Sequence, residues 1–454
     1  MLVFFVVKKR RKQVAITLDE RLGSISEVSS ASKEFCPEVP ANLQEAGINE
    51  IFLTDLVCKY LLSYGALTGK KISNKVCLPF PMVEEQLRDL KQRLIVTYQS
   101  TSGINDFIYA LTEKGREKAL QAREASAYLG SAPVPYADYM KSVAAQTIQN
   151  ETPGPVELHE AFKELVLPKE FYTLLGPAIN SGRGVFLYGP AGNGKTSIAR
   201  RIPHCFTDTI FIPKTLLIEG QEVKFYDPQS HKAVDMVQND KPVDYDQRWL
   251  RVERPAVIVG GEMDMASMEI IYNPVTKVCE APVQMKGNCG ILVIDDFGRQ
   301  RMTPEQLLNR WILPLEKRID FLTLPNGIKF QVPFNALLIF CTNIDPEKLM
   351  DEAFLRRIPY KIYLGDPTED DFVKILKNAS AQYDVQYDGN ATEYMLETYF
   401  RNKHHLRSCY PRDILQQIVN ISLYEQKKPE MTKEVIDLGV KLYFTATKSK
   451  VTTD

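Results

Sequence analysis

Several things that would mark a metalloprotein, a secreted scaffold or a membrane span are missing from this sequence. Histidine occurs only 5 times, and none of the 8 cysteines forms a Cys-x-x-Cys pair, so zinc-ligand spacing is absent. Cys36, Cys58, Cys77, Cys205, Cys279, Cys289, Cys341 and Cys409 are also too dispersed over 454 residues for a disulfide framework. No run approaches the roughly 18 to 20 apolar residues of a membrane helix, so no membrane insertion is expected. An excess of one charge is lacking too. Lys plus Arg at 56 against Asp plus Glu at 57 leaves a net of -1, which argues against a dedicated polyanion binder. At the start, apolar residues 2–7 precede the basic residues 8–12, the reverse of a secretory signal, and a cytoplasmic setting is expected.

What is present is an ordinary globular composition, 44% hydrophobic and 25% charged, with length for roughly three domains. Residues 1–46 read as a tail and Ser- and Pro-containing linker. In 47–126, Ile51, Leu53, Leu56, Val57, Tyr60 and Leu61 recur at helical spacing, a second helical piece covers 69–77, and Val83, Leu87, Leu90 and Leu94 share one face of a third. Two β-runs, 95–98 and 107–111, flank a polar turn at Ser102 and Gly103. Three helices and this hairpin resemble a winged helix-turn-helix. Its third helix sets Glu84, Glu85 and Asp89 against Arg88, Lys91 and Arg93, a neutral balance that suits phosphate contact poorly. Lys70, Lys71 and Lys75 leave nucleic acid open but not favoured over protein contact or self-association. Residues 127–154 read as a second linker, with Tyr136, Tyr139 and Met140 available for docking.

The most informative segment is Gly184-Val185-Phe186-Leu187-Tyr188 followed by Gly189-Pro190-Ala191-Gly192-Asn193-Gly194-Lys195-Thr196. This is G-x-x-x-x-G-K-[ST] after an expected strand, and Ser197-Ile198-Ala199-Arg200 continues as a helix. Glycines let backbone N–H groups converge on phosphate oxygens, Lys195 reaches the outer phosphates of ATP, and Thr196 holds Mg²⁺. A buried run, Ile291-Leu292-Val293-Ile294, ends in Asp295 and Asp296. Asp295 suits the Mg²⁺ shell, and Asp296 suits polarising the attacking water. A third run, residues 336–342, ends at Asn343, whose amide can contact both phosphate and water. Arg356 and Arg357 precede another β-run, and Arg412 opens a helix in the C-terminal region.

In order and spacing, Lys195, Asp295, Asn343, Arg357 and Arg412 resemble Walker A, Walker B, sensor 1, arginine finger and sensor 2 of AAA+ ATPases. The resemblance implies an α/β fold with a five-stranded parallel P-loop sheet over 155–366 and a helical lid over 367–446, with 447–454 as a tail. It also implies a homo-oligomeric ring with ATP at subunit boundaries, where Arg356 or Arg357 would meet a neighbour's γ-phosphate. The 100 residues from Lys195 to Asp295 imply a β-rich insert at 206–290. There, Asn273-Pro274-Val275-Thr276 reads as a hairpin turn, and Tyr272 is at once a candidate pore residue and an ordinary hairpin aromatic. A second hairpin is expected around Pro325-Asn326-Gly327.

Asp295-Asp296-Phe297-Gly298-Arg299-Gln300-Arg301, Leu307-Leu308-Asn309-Arg310-Trp311 and Glu352-Ala353-Phe354-Leu355-Arg356-Arg357 are similar to a bacterial group described as predicted AAA+ ATPases with chaperone activity, associated with Flp pilus assembly. Aspartate at the second Walker B position is typical of that group. The expected function is ATP hydrolysis coupled to remodelling of an unidentified protein client. The alternative is a DNA-directed ATPase or regulator targeted by the winged helix.

Overall fold

The computed structural model describes residues 35–444 except 102–105, 207–208, 236, 239–240, 243 and 402–403. Two compact units divide the chain, Met1–Cys36 and Pro37–Asp454, and all that follows belongs to the second. The apolar start, the following basic run, the Ser102-Gly103 turn and the 447–454 tail lie outside the described residues.

Helices Glu50–Tyr64, Gly69–Val76 and Phe80–Gln92 open the fold, followed later by Glu113–Ala125. Local chemistry sets their starts. Asn49 accepts the Phe52 N–H at 2.7 Å, and the Asp106 carboxylate accepts the Gly69 and Lys70 N–H groups at 2.8 and 3.2 Å. Strands β1 (Ala66–Thr68), β2 (Val96–Thr101) and β3 (Phe107–Leu111) form an antiparallel sheet in the order β1-β3-β2. Leu53, Leu56, Val57, Val83, Leu87 and Leu90 form the core between helices and sheet.

Residues 127–154 differ from the expected linker. Tyr128 is buried, and its hydroxyl reaches Ser131 O and Thr215 Oγ1 at 2.5 and 2.9 Å. Strand β4 (Val134–Pro135) and helix Tyr136–Ala145 follow. In that helix Tyr139 is also buried, and the Asn288 amide donates to its hydroxyl at 2.8 Å. The segment is ordered because Tyr128, Val134 and Tyr139 bury enough apolar surface to offset chain entropy, which the Pro and Ala content conceals.

Strand β5 (Val185–Tyr188) enters the central sheet. After it come β6 (Ile210–Pro213), β7 (Thr215–Ile218), β8 (Gln221–Lys224), β9 (Val237–Gln238), β10 (Lys241–Pro242) and β11 (Trp249–Val252). Next are β12 (Ala256–Val259), β13 (Ile271–Asn273), β14 (Val278–Glu280) and β15 (Ile291–Ile294). Then β16 (Ile319–Thr323), β17 (Lys329–Pro333), β18 (Leu337–Thr342) and β19 (Tyr360–Tyr363) complete the strands. The five-stranded parallel sheet has the order β12-β15-β18-β5-β19, and β15 and β18 are buried throughout. Both faces are covered, which is why these strands read as unbroken apolar runs.

Strand β12 revises the insert. Placed within 206–290 from sequence, Ala256-Val257-Ile258-Val259 instead pairs in parallel with β15 and belongs to the central sheet. The remaining strands of that span form two two-stranded ladders, β6 with β11 and β9 with β10, and a second five-stranded sheet, β13-β14-β8-β7-β4, so β4 from the assumed linker is one of its edges. Both expected hairpins form, β13–β14 with Tyr272 opposite Cys279, and β16–β17 with Phe321 opposite Gln331. The first is held at its turn, since Ala127 N–H donates to Thr276 O at 2.9 Å and Lys277 Nζ to Glu124 O at 2.7 Å. Tyr272 itself is exposed.

Helices Glu369–Gln382, Gly389–Met395, Tyr410–Tyr424 and Lys433–Phe444 follow β19, the second running on into a π-helical turn at Leu396–Phe400. They close over Phe372, Leu376, Met395, Phe400, Ile414 and Ile436. Among the described residues no helix is long and apolar enough to cross a membrane.

Candidate functional site

Three adjacent parallel strands, β15, β18 and β5, deliver their C-terminal ends to one edge of the sheet, where open α/β folds bind ligands. The loop after β5 has φ of +136°, +85° and +86° at Gly189, Gly192 and Gly194. At Gly189 a Cβ would come within 2.3 Å of Leu364 O, so no other residue fits there. Helix Lys195–Arg201 starts directly after this loop.

Lys195 is buried, and its Nζ donates to Gly189 O and Pro190 O at 2.9 Å each and to Asn343 Oδ1 at 2.7 Å. Burial lowers its pKa from the ordinary 10.5, while Cys341, Asp295 and Asp296 act the other way and Arg407 adds to the lowering. The Thr196 hydroxyl lies 2.9 Å from each oxygen of Asp295. Asn343 Nδ2 approaches Asp296 Oδ1 at 3.5 Å. A cleft of about 690 Å³ runs over this group, lined also by Ala191, Ser197, Arg299 and, from the C-terminal helices, Gln382 and Arg412.

The structure therefore brings together Lys195, Thr196, Asp295, Asp296, Asn343 and Arg412. It does not bring Arg356 or Arg357 to the same cleft. Arg356 is exposed, and Arg357 Nε donates to Glu316 Oε1 at 2.7 Å. Arg412 lines the cleft with its guanidinium 3.3 Å from Asp413.

Sequence reasoning missed a junction at Asn193. This buried loop residue donates through Nδ2 to Gly365 O at 2.9 Å and Asp366 Oδ1 at 2.8 Å, and accepts the Ser408 N–H at 3.1 Å. Arg407 also pairs with Asp366 Oδ1. One amide thus ties the glycine-rich loop after β5, the chain leaving β19 and the C-terminal helices together. Contact there is close enough that a Cβ on Gly192 would lie 2.7 Å from Cys409 Sγ. Nothing in the local sequence around 407–409 signals this, because the partners meet only through the tertiary fold.

Residues 368–442 match a family described as a domain of unknown function (DUF8689). No curated protein matches the chain. Among solved structures, two point variants of Thermotoga maritima RuvB, one proline-to-glycine and one threonine-to-valine, are similar at 14% and 13% identity. Each covers 65% of this chain, and 72% and 73% of their own lengths, with TM-scores of 0.33 and 0.34. The chemistry of the cleft stands on its own residues.

Proposed function

We propose that the protein binds ATP with Mg²⁺, hydrolyses it, and uses the cycle to remodel a protein client. One observation carries this reading: Lys195, the Thr196–Asp295 pair and the Asn343–Asp296 pair meet at the ends of three neighbouring parallel strands. The loop N–H groups and Lys195 take the phosphates. The hydroxyl and carboxylate oxygens of Thr196 and Asp295 form the all-oxygen donor set that suits Mg²⁺, which when bound neutralises phosphate charge. Asp296 accepts a proton from the attacking water, Asn343 orients that water and the γ-phosphate, and Arg412 approaches from the C-terminal helices acting as a lid. Arg356 and Arg357, turned away from their own cleft, serve a neighbouring subunit in a homo-oligomeric ring.

Protein contact is the favoured role of the winged-helix-like region. The three cations on helix Phe80–Gln92 and its end already have partners. Arg88 pairs with Glu84 at 2.7 Å, Arg93 with Asp89 at 3.0 Å, and Lys91 lies over the Tyr98 ring at 3.6 Å. A chaperone-like role in pilus assembly rests on the resemblance of residues 295–301, 307–311 and 352–357, and a cytoplasmic setting on the order of residues 2–12.

Phosphate release by the purified chain, lost in Lys195→Ala, is the direct test. Mixing Lys195→Ala with Arg357→Ala subunits should restore part of it, because a trans arginine contributes about 10³ to 10⁵ in rate. Unchanged turnover in Lys195→Ala sinks the reading. A salt-dependent gel shift of the full chain on DNA would move the role to a DNA-directed ATPase.

A further inference from the structure

The loop leaving β15 is held in a shape that residues with side chains seldom adopt. Asp296 has φ +48°, in the left-handed region, and Gly298 follows at +100°. Strand β18 secures one side, through Phe297 N–H donating to Cys341 O at 2.7 Å and Thr342 Oγ1 donating to Phe297 O at 2.9 Å. Gln300 secures the other. Its Nε2 donates to Asp295 O at 2.9 Å and Asp296 O at 3.3 Å, and its Oε1 accepts the Gly298 N–H at 2.8 Å. A single side-chain amide thereby closes the loop with both its donor and its acceptor.

Among the described residues the Asp296 carboxylate has little else to aim it. Its hydrogen-bond contact is the Asn343 amide at 3.5 Å, long enough to orient weakly and not to anchor. Aspartate is also one methylene shorter than glutamate, so its side chain has less reach to correct a misplaced backbone. The direction of the carboxylate is consequently set by the backbone at Asp295 and Asp296, the two carbonyls that Gln300 holds.

We propose that Gln300 is the positioning residue for Asp296, an amide crossbar that turns the carboxylate toward the phosphate end of the cleft. The proposal rests on the ATPase reading above and adds to it the residue that lets an aspartate serve there. Gln300 touches neither nucleotide nor water in this scheme. It acts only through the loop.

The test compares wild type with Gln300→Ala, Gln300→Met, Asp296→Asn and the double variant Gln300→Ala/Asp296→Asn. Steady-state phosphate release gives kcat and KM, and a fluorescent ATP analogue gives affinity. Gln300→Ala and the length-matched Gln300→Met should lower kcat about tenfold or more, within the range of misplaced general-base effects, with KM and affinity within about twofold. Added to Asp296→Asn, the Gln300 change should cost nothing further, since both act on one step. A kcat within about twofold of wild type overturns the proposal. So does an additive loss in the double variant, or a fall in affinity matching the fall in kcat. If Gln300→Ala fails to fold, Gln300→Met decides. Wild type without turnover sinks the ATPase reading and this one together, whereas an active wild type with unaffected Gln300 variants sinks this one alone.

Discussion

Replacing Lys195 by methionine should separate two quantities that often fall together, the stability of the free protein and its stabilisation by ATP. The change keeps side-chain bulk and removes the charge. In the free protein that charge faces three neutral acceptors, Gly189 O, Pro190 O and Asn343 Oδ1, at 2.7 to 2.9 Å. Burial holds the Lys195 pKa below the ordinary 10.5, so the folded state binds this proton less tightly than the unfolded state. The resulting cost is present in full below the folded pKa and fades as pH rises toward 10.5. At neutral pH the substitution removes that cost along with charge-assisted hydrogen bonds worth about 1.5 to 3 kcal/mol each. The two oppose each other, so the ligand-free melting temperature should move by less than the loss of the hydrogen bonds alone would move it. ATP binding behaves differently. Two charge-assisted phosphate contacts at about 1.5 to 3 kcal/mol each sum to about 3 to 6 kcal/mol, a weakening of about 10²- to 10⁴-fold. At an ATP concentration of about 100 Kd, wild type gains about 2.7 kcal/mol, or about 3 °C at about 1 °C per kcal/mol for a chain of 454 residues. The variant gains at most about 0.4 kcal/mol, or about 0.4 °C. Thermal unfolding with and without ATP and Mg²⁺ reads both numbers. An undiminished ATP-dependent rise in Lys195→Met would refute the reasoning.

Four other outcomes follow from the same geometry. Asn193→Ala removes three hydrogen bonds of about 1 kcal/mol each, and faster hydrogen exchange in the C-terminal helices should report their looser docking. Arg248 is buried against Asp246 and donates to Ala46 O and Pro133 O at 2.6 and 3.2 Å, so Arg248→Ala should cost about 3 to 5 kcal/mol in urea unfolding by stranding the carboxylate. His231 accepts the Asp227 N–H at Nδ1, donates from Nε2 to Lys286 O, and has its pKa lowered by burial from 6.5. Its contribution is present above about 6.5 and is lost as pH falls below that value toward the lower folded pKa, and His231→Gln should flatten this part of a melting-temperature profile. Asp296→Asn should keep nucleotide affinity while phosphate release falls about 10²-fold or more.

The central strands and the glycine-rich loop after β5 were legible because parallel strands buried on both faces read as apolar runs, and because the loop's positive φ angles admit few residue types. Asp295, Asp296 and Asn343 could be placed because each ends such a run. Strand β12 was not separable, since four apolar residues between Pro255 and Gly260 resemble the short strands of the insert beside them. Residues 127–154 were misjudged because tyrosine burial depends on partners such as Thr215 and Asn288 that lie 87 and 149 positions away. Asn193 and Gln300 show the limit from another side. Apart from the Asn193–Asp366 bond their side chains act on backbone groups, and a backbone group leaves no residue type in the sequence to recognise.

The pairing of β4 with β7 has a consequence for how the chain is made. Val134 lies opposite Leu216, with β5 and the glycine-rich loop after it translated in between. At about 5 to 20 residues per second, the ribosome delivers β7 roughly 4 to 16 s after β4. During that interval Tyr128 and Tyr139 have emerged without Thr215 or Asn288 to receive them. The N-terminal helices can fold early from contacts close in sequence, but the strap behind them must wait. Slowing translation after residue 154 should therefore lengthen the exposure of this strap to chaperones or to other nascent chains, while leaving the finished fold unchanged.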